Sequence, residues 1–183
     1  INLAEGRTGF ETIGELYPAA EKIKRKITTI AGINCAWFEP ENAMEDNIIV
    51  FIHGGAFIYG SLHSHAALVS HISLKLNRKI LLIDYRLAPE APFPAGLEDC
   101  TKVILTFVNE NPNVGFGLIG DSAGGNLTMS VQLKLKEING PLPKYSIVIS
   151  PWADIECKNV SYERNKVTDI VLSHEYLVAA ADM

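Results

Sequence analysis

The chain has 183 residues, 48% of them hydrophobic, and a formal net charge of −5 at pH 7. That length is enough to bury a sizeable core in one domain. The acidic balance argues against nucleic acid or an anionic membrane surface as partner, because phosphate recognition needs clustered Lys and Arg. The one basic cluster, Lys22, Lys24, Arg25 and Lys26, reads as the solvated end of a helix. Cys35, Cys100 and Cys157 are odd in number and far apart, which fits neither a disulfide framework nor a metal site and points to a reducing, cytoplasmic setting. No run approaches the roughly eighteen apolar residues of a membrane span, and no metal or cofactor is called for.

In chain order, Ile13, Leu16, Ile23 and Ile27 fall near helical spacing, so Glu11 to Ile27 is predicted as one or two short helices interrupted at Pro18. Lys26–Ala31 and Ile33–Phe38 are two β-rich runs about Gly32, an opening hairpin, and Pro40–Asp46 is a polar loop. Ile48–Ile52 is apolar throughout, as a strand buried on both faces is, and ends at His53-Gly54-Gly55. A helix follows over Ser61–Leu76, a second buried strand over Ile80–Asp84 and a proline-rich loop over Tyr85–Pro94. Next come a helix over Leu97–Asn109, a third buried strand over Gly115–Gly120, a helix over Ser122–Ile138 and a fourth strand over Tyr145–Ser150. Beyond Ala153 the alternation stops, apart from a helix beginning near Ser173.

Apolar strands alternating with helices imply a parallel sheet covered on both faces. Ligands of such sheets sit beyond the carboxyl ends of the strands. Two loops are expected on that rim: His53–Phe57 and Gly120–Gly124.

The second loop carries the sharper chemical signal. Gly120-Asp121-Ser122-Ala123-Gly124 stands between a strand and a helix, the pattern in which a serine is exposed at a tight turn as a nucleophile. Ester cleavage passes through an oxyanion, and fixed N–H donors aimed at that charge usually supply the largest catalytic term. The glycines of His53-Gly54-Gly55-Ala56 suit such a cradle, and Ala123 offers one more N–H at a helix start. A G-x-S-x-G pentapeptide or a glycine pair alone also occurs by chance or as a plain turn. The two loops together, in this order and on one rim, outweigh those bland readings.

With His53 to Ser61, Asp84 to Glu90 followed by Pro92-Phe93-Pro94-Ala95, Gly120 to Leu127 and Ser150-Pro151-Trp152-Ala153-Asp154, the chain resembles the hormone-sensitive-lipase-like branch of the α/β-hydrolases over about Ile33 to Leu177. The resemblance implies an α/β-hydrolase fold, doubly wound with a mostly parallel sheet, incomplete at the C-terminus and bearing part of a helical cap. On that reading residues 1–183 form a single domain, with 27–154 as the core and 1–26 and 155–183 as cap elements. It implies a serine carboxylesterase acting on small, fairly apolar esters through an acyl-enzyme. Ser122 is the expected nucleophile; Gly55, Ala56 and Ala123 are expected to donate to the oxyanion, with Gly54 shaping the loop. Where the family often has glycine, this chain has Ala56, whose N–H is still available.

The same resemblance places the triad acid and histidine well downstream of the serine. His174 corresponds to the cap, and Asp154 and Asp169 come early for the acid. His53, Asp84 and Asp121 are expected to serve local hydrogen bonds, and Tyr85–Ala95 to hold loops. The 183 residues are therefore expected to form an inactive core, with an exposed sheet edge that invites homo-oligomerisation. A non-catalytic small-molecule receptor on the same scaffold is the alternative, and a lyase a weaker third.

Overall fold

The structure, a computed structural model, describes residues 2–183; Ile1, the first residue of the expected N-terminal cap element, lies outside the described residues. In order the elements are α1 (Leu3–Leu16), β1 (Ile23–Ile30), β2 (Ile33–Pro40), β3 (Met44–Ile52), α2 (Ala66–Leu76), β4 (Arg78–Ile83), α3 (Ala95–Glu110), β5 (Gly115–Asp121), α4 (Ser122–Glu137), β6 (Ser146–Ile149), α5 (Ser161–Asn165) and α6 (His174–Ala181). The strands form one sheet in the order β1-β2-β4-β3-β5-β6. β1 and β2 are the antiparallel hairpin expected about Gly32, and β2 also runs antiparallel to β4. From β4 through β3 and β5 to β6 every pairing is parallel. This is the α/β-hydrolase sheet that the resemblance implies.

The continuous apolar runs are explained by what lies on either side of them. Side chains of a strand alternate between faces. Val50, Ile52, Leu81, Ile83 and Leu118 pack on one face against Val103, Ile104, Val131 and Leu135 of α3 and α4. Ile49, Phe51, Ile80, Leu82 and Ile119 pack on the other against Ala66 and Val69 of α2. A strand with helices on both faces has no wet side, so no polar residue interrupts it.

The N-terminal expectations need correction. The first helix starts at Leu3 rather than Glu11, where the Asn2 side chain accepts the Glu5 N–H at 3.3 Å. It stops at Tyr17, which is extended (φ −121°, ψ 127°), as a residue before proline prefers. Ile13 and Leu16, which set the expected apolar face, are exposed, and Leu3 and Phe10 make the packing contacts instead. Ile23 to Ile27 belongs to β1, not to a helix. Lys24, Arg25 and Lys26 therefore lie on an edge strand, where lysines deter further strand pairing, and Lys22 lies in the turn before it. Arg25, though exposed, donates to the Leu62 carbonyl at 2.9 Å and lies over the Phe38 ring. β3 begins at Met44, inside the stretch expected as loop, because Met44 pairs with Arg78 at the start of β4. Among the described residues no helix is long and apolar enough to cross a membrane.

Candidate active site

β5 ends at Asp121 and α4 begins at the next residue, so the chain reverses with no linking loop. The reversal falls on Ser122, whose φ is +49°. An L residue in that region costs about 1–2 kcal/mol, and strain of this kind collects at functional positions. Gly124 makes the bend possible: a Cβ there would lie inside the van der Waals shells of the Ile52 and His53 carbonyl oxygens. Ser122 is half-buried and borders a cavity of about 230 Å³, together with Ser150, Trp152, Tyr162, Asp169 and His174.

The loop after β3 lies against this bend. Gly55, Ala56 and Phe57 have φ of +118°, +54° and +64°, three successive residues in the left-handed half of the map. The Gly55 carbonyl accepts the N–H groups of Ile58 at 3.0 Å and Tyr59 at 2.8 Å, closing the turn. Among the described residues nothing accepts the N–H groups of Gly55, Ala56 or Ala123. Ala123 stands in the first turn of α4, where backbone donors have no partner inside the helix. The Gly54 N–H, by contrast, is spent on the Asp121 carboxylate at 2.9 Å. Gly54 therefore shapes the loop and leaves three backbone donors beside the bend.

Several contacts bind the two loops and the Ser-Pro-Trp loop into one rim. Tyr85 Oη donates to the His53 carbonyl at 2.8 Å, Trp152 N–H to the Ser122 carbonyl at 2.9 Å, and Asn126 Nδ2 to the Trp152 carbonyl at 3.0 Å. The Phe57 and Trp152 rings stack with centroids 5.6 Å apart. These contacts tie the rim to the ends of β3, β5 and β6.

Two histidines underlie the loop. His53 is fully buried, stacked on Tyr85 at 4.3 Å, and burial followed by the neighbouring His65 depresses its pKa to about 3. It is therefore neutral, and its Nδ1–H donates to the Gly54 carbonyl at 2.8 Å; its Nε2 has no partner among the described residues. His65 Nε2 stands 3.5 Å from the Asp121 carboxylate and its Nδ1 is 3.0 Å from Ser64 Oγ. Burial pushes the Asp121 pKa up, but His65 and the Gly54 N–H outweigh it and hold the carboxyl below its ordinary value. The Gly54 contact is stronger to an anionic Asp121 than to a neutral one.

The remaining candidates serve local roles. Asp154 accepts the N–H groups of Lys158 and Asn159, each at 3.0 Å. Asp169 accepts those of Val171 at 3.0 Å and Leu172 at 2.9 Å. His174 Nε2 lies 2.9 Å from the Cys157 carbonyl. Asp169 and His174 share a cavity with Ser122, yet no histidine among the described residues hydrogen-bonds its hydroxyl. Sequence reasoning missed His65 and Arg7. Both act through contacts more than 50 residues away, and neither sits in a local pattern that announces it.

Comparison with known proteins bears on this geometry. The alpha/beta hydrolase fold family matches residues 49–183. The chain is 30% identical over 182 residues to an esterase of Acinetobacter venetianus, covering 98% of this chain and 60% of that protein. It is 31% identical over 147 residues to an acetyl-hydrolase of Streptomyces hygroscopicus, covering 80% and 49%. A solved esterase from the bacterial hormone-sensitive lipase family superposes with a TM-score of 0.93 at 31% identity, covering 99% of this chain and 61% of its own. The chain thus spans about half to three fifths of the length of these relatives. Human hormone-sensitive lipase is 38% identical over 104 residues, 54% of this chain and 10% of that protein. With the sheet order, the sharp bend at Ser122 and the glycine loop beside it all within the matched stretch, the chain belongs to the hormone-sensitive-lipase-like branch of the α/β-hydrolase fold family.

Proposed function

We propose that this chain carries the nucleophile and oxyanion hole of a carboxylic ester hydrolase. The observation that carries the reading is Ser122, strained at a strand-to-helix bend, open to a cavity, and beside a loop whose amides are unspent. Esterase and acetyl-hydrolase relatives support the reaction class.

Ser122 Oγ attacks the ester carbonyl carbon and its proton passes to a base. The carbonyl oxygen becomes an oxyanion, received by the N–H groups of Gly55, Ala56 and Ala123. The C–O bond to the alcohol then breaks, the alcohol leaves with the proton, and water releases the acid and restores the hydroxyl. Because no histidine among the described residues hydrogen-bonds Ser122, residues 2–183 alone are expected to turn over slowly, and efficient catalysis is assigned to a base and acid from outside them. The cavity of about 230 Å³ suits a small ester, whose apolar part would lie against Trp152, Leu172 and Leu177 and whose polar part would face Lys166, Asp169 and Glu175. Residues 155–183 wall the site as a cap element, while α1 packs beside Tyr59 through Leu3 and Phe10; the core sheet begins at Ile23, not at 27. The three buried cysteines, all without disulfides, fit a reducing, cytoplasmic setting.

A fluorophosphonate probe tests the reading. Labelling of the wild type and none of Ser122→Ala is expected; equal labelling of both sinks it. A receptor on this scaffold would bind an apolar ester without being labelled.

A further inference from the structure

α1 is fastened to the rim chiefly through one side chain. Arg7 donates from Nε to the Ile58 carbonyl at 3.0 Å and from Nη2 to the Ala88 carbonyl at 3.0 Å. Its two Nη atoms also grip the two oxygens of Glu90, each at 2.7 Å. Three elements meet there: α1, the end of the glycine loop, and the loop after β4. The Ala88 N–H returns to the Phe57 carbonyl at 3.0 Å, so the two loops are also tied directly.

The placement matters because of what precedes Ile58. Ala56 and Phe57 are L residues at φ of +54° and +64°, and each such residue costs about 1–2 kcal/mol. A turn under that strain relaxes unless its ends are held. The inner end is held by Asp121 on the Gly54 N–H. The outer end has Ile58, buried, with its carbonyl on Arg7. Only a guanidinium offers a fork to a carboxylate together with further N–H groups for two carbonyls. Glu90 responds accordingly: the Arg7 hydrogen bond holds its pKa down to about 2.

We propose that Arg7 is a positioning residue for the oxyanion loop: seated on Glu90, its guanidinium pins the Ile58 and Ala88 carbonyls and so keeps the Gly55–Phe57 turn in its strained form. α1 is then a working part of the site although none of its residues lines the Ser122 cavity. The catalytic half of this statement rests on the ester-hydrolase reading; the structural half does not.

The test uses the 183-residue chain with Arg7→Ala, Arg7→Lys and Glu90→Gln, and measures two things. Amide hydrogen exchange at Ile58 and Tyr59 reads the turn directly, since both N–H groups sit on the Gly55 carbonyl. The rate constant and the binding constant of fluorophosphonate labelling, taken separately, read the amides at work. Arg7→Ala is expected to speed exchange at Ile58 and Tyr59 about tenfold or more relative to Val50 in β3. It is expected to lower the labelling rate constant by a similar factor with little change in binding, as a small misplacement of catalytic groups does. Glu90→Gln is expected to give a smaller effect of the same kind, and Arg7→Lys to restore part of the loss. Unchanged exchange overturns the proposal, even if the melting temperature falls. Faster exchange with an unchanged labelling rate constant overturns the positioning role and leaves Arg7 a structural tie. Slow labelling of the wild type is expected, since its base is assigned outside residues 2–183; a wild type labelled no faster than Ser122→Ala sinks the hydrolase reading instead, and exchange alone then decides whether Arg7 holds the turn.

Discussion

β3 and β6 are written in nearly the same residues and lead to the same rim, yet they live in different surroundings. Ile49, Val50, Phe51 and Ile52 have no exposed surface, whereas Ile147, Val148 and Ile149 are 46%, 38% and 41% exposed. β3 is paired on both sides and covered above and below. β6 pairs only with β5, and among the described residues nothing pairs with its outer edge. Apolar, β-branched character therefore reports that a segment is a strand; its energetic weight comes from its neighbours. The loops of the candidate site divide along the same line, with the glycine loop issuing from the buried centre and the Ser-Pro-Trp loop from the open edge.

That contrast can be broken or sharpened by substitution. The largest effect is expected from Phe51→Ala, which empties a fully buried site and should cost about 3–5 kcal/mol, against about 1 kcal/mol or less for Ile149→Ala on the exposed edge. Urea denaturation of the two variants measures the difference, and equal losses would show that β6 is buried after all. Gly124→Ala comes next. Its methyl group would press on backbone carbonyls of the centre strand, which cannot swing aside as side chains do, so a loss of about 1–3 kcal/mol is expected. Fluorophosphonate labelling of that variant should fall with it, and retained labelling at full stability would mean the bend has slack.

Val148→Lys, on the edge strand, should change stability by no more than about 0.5 kcal/mol. It should instead weaken self-association at high concentration, because a charge on an edge strand deters pairing with another chain. Sedimentation of wild type and variant distinguishes this from a chain that is monomeric in both forms. The smallest effect concerns pH. The folded-state pKa of Glu90 is depressed to about 2 from an ordinary 4.5, so the Arg7 pair stabilises the fold fully above that ordinary value and is lost as pH falls from 4.5 through 2. The wild type is therefore expected to melt slightly above Glu90→Gln at pH 6 and to lose that margin by pH 2, with a margin independent of pH counting against the pair.

Much of the core was legible because each local signal agreed with the next. The run Ile48–Ile52 ending in His53-Gly54-Gly55, and the run Phe116–Ile119 ending in Gly120-Asp121-Ser122, are strands whose termini announce tight turns. The N-terminal segment misled for a physical reason. Ile13 and Leu16 have helical spacing but face solvent, while Ile23–Ile27 has apolar residues that a helix or an edge strand accommodates equally. Only the pairing of Ile27 with Ala36 and of Arg25 with Phe38 decides for the strand. Asp121 makes a hydrogen bond as expected, but its partner, Gly54, lies 67 positions away, where no local pattern names it.

By itself the sequence determined the alternation of strands and helices, the place of the bend at Ser122 and the glycine loop that accompanies it. These depend on hydrophobic period and on the absence of Cβ atoms, both properties of short segments. The tertiary structure alone decided that the Gly54 amide is spent on Asp121, that His53 is buried and neutral, and that Arg7 reaches the rim from the first helix. Those are matters of distance, burial and charge between groups far apart along the chain, and such quantities exist only once the sheet has brought the groups together.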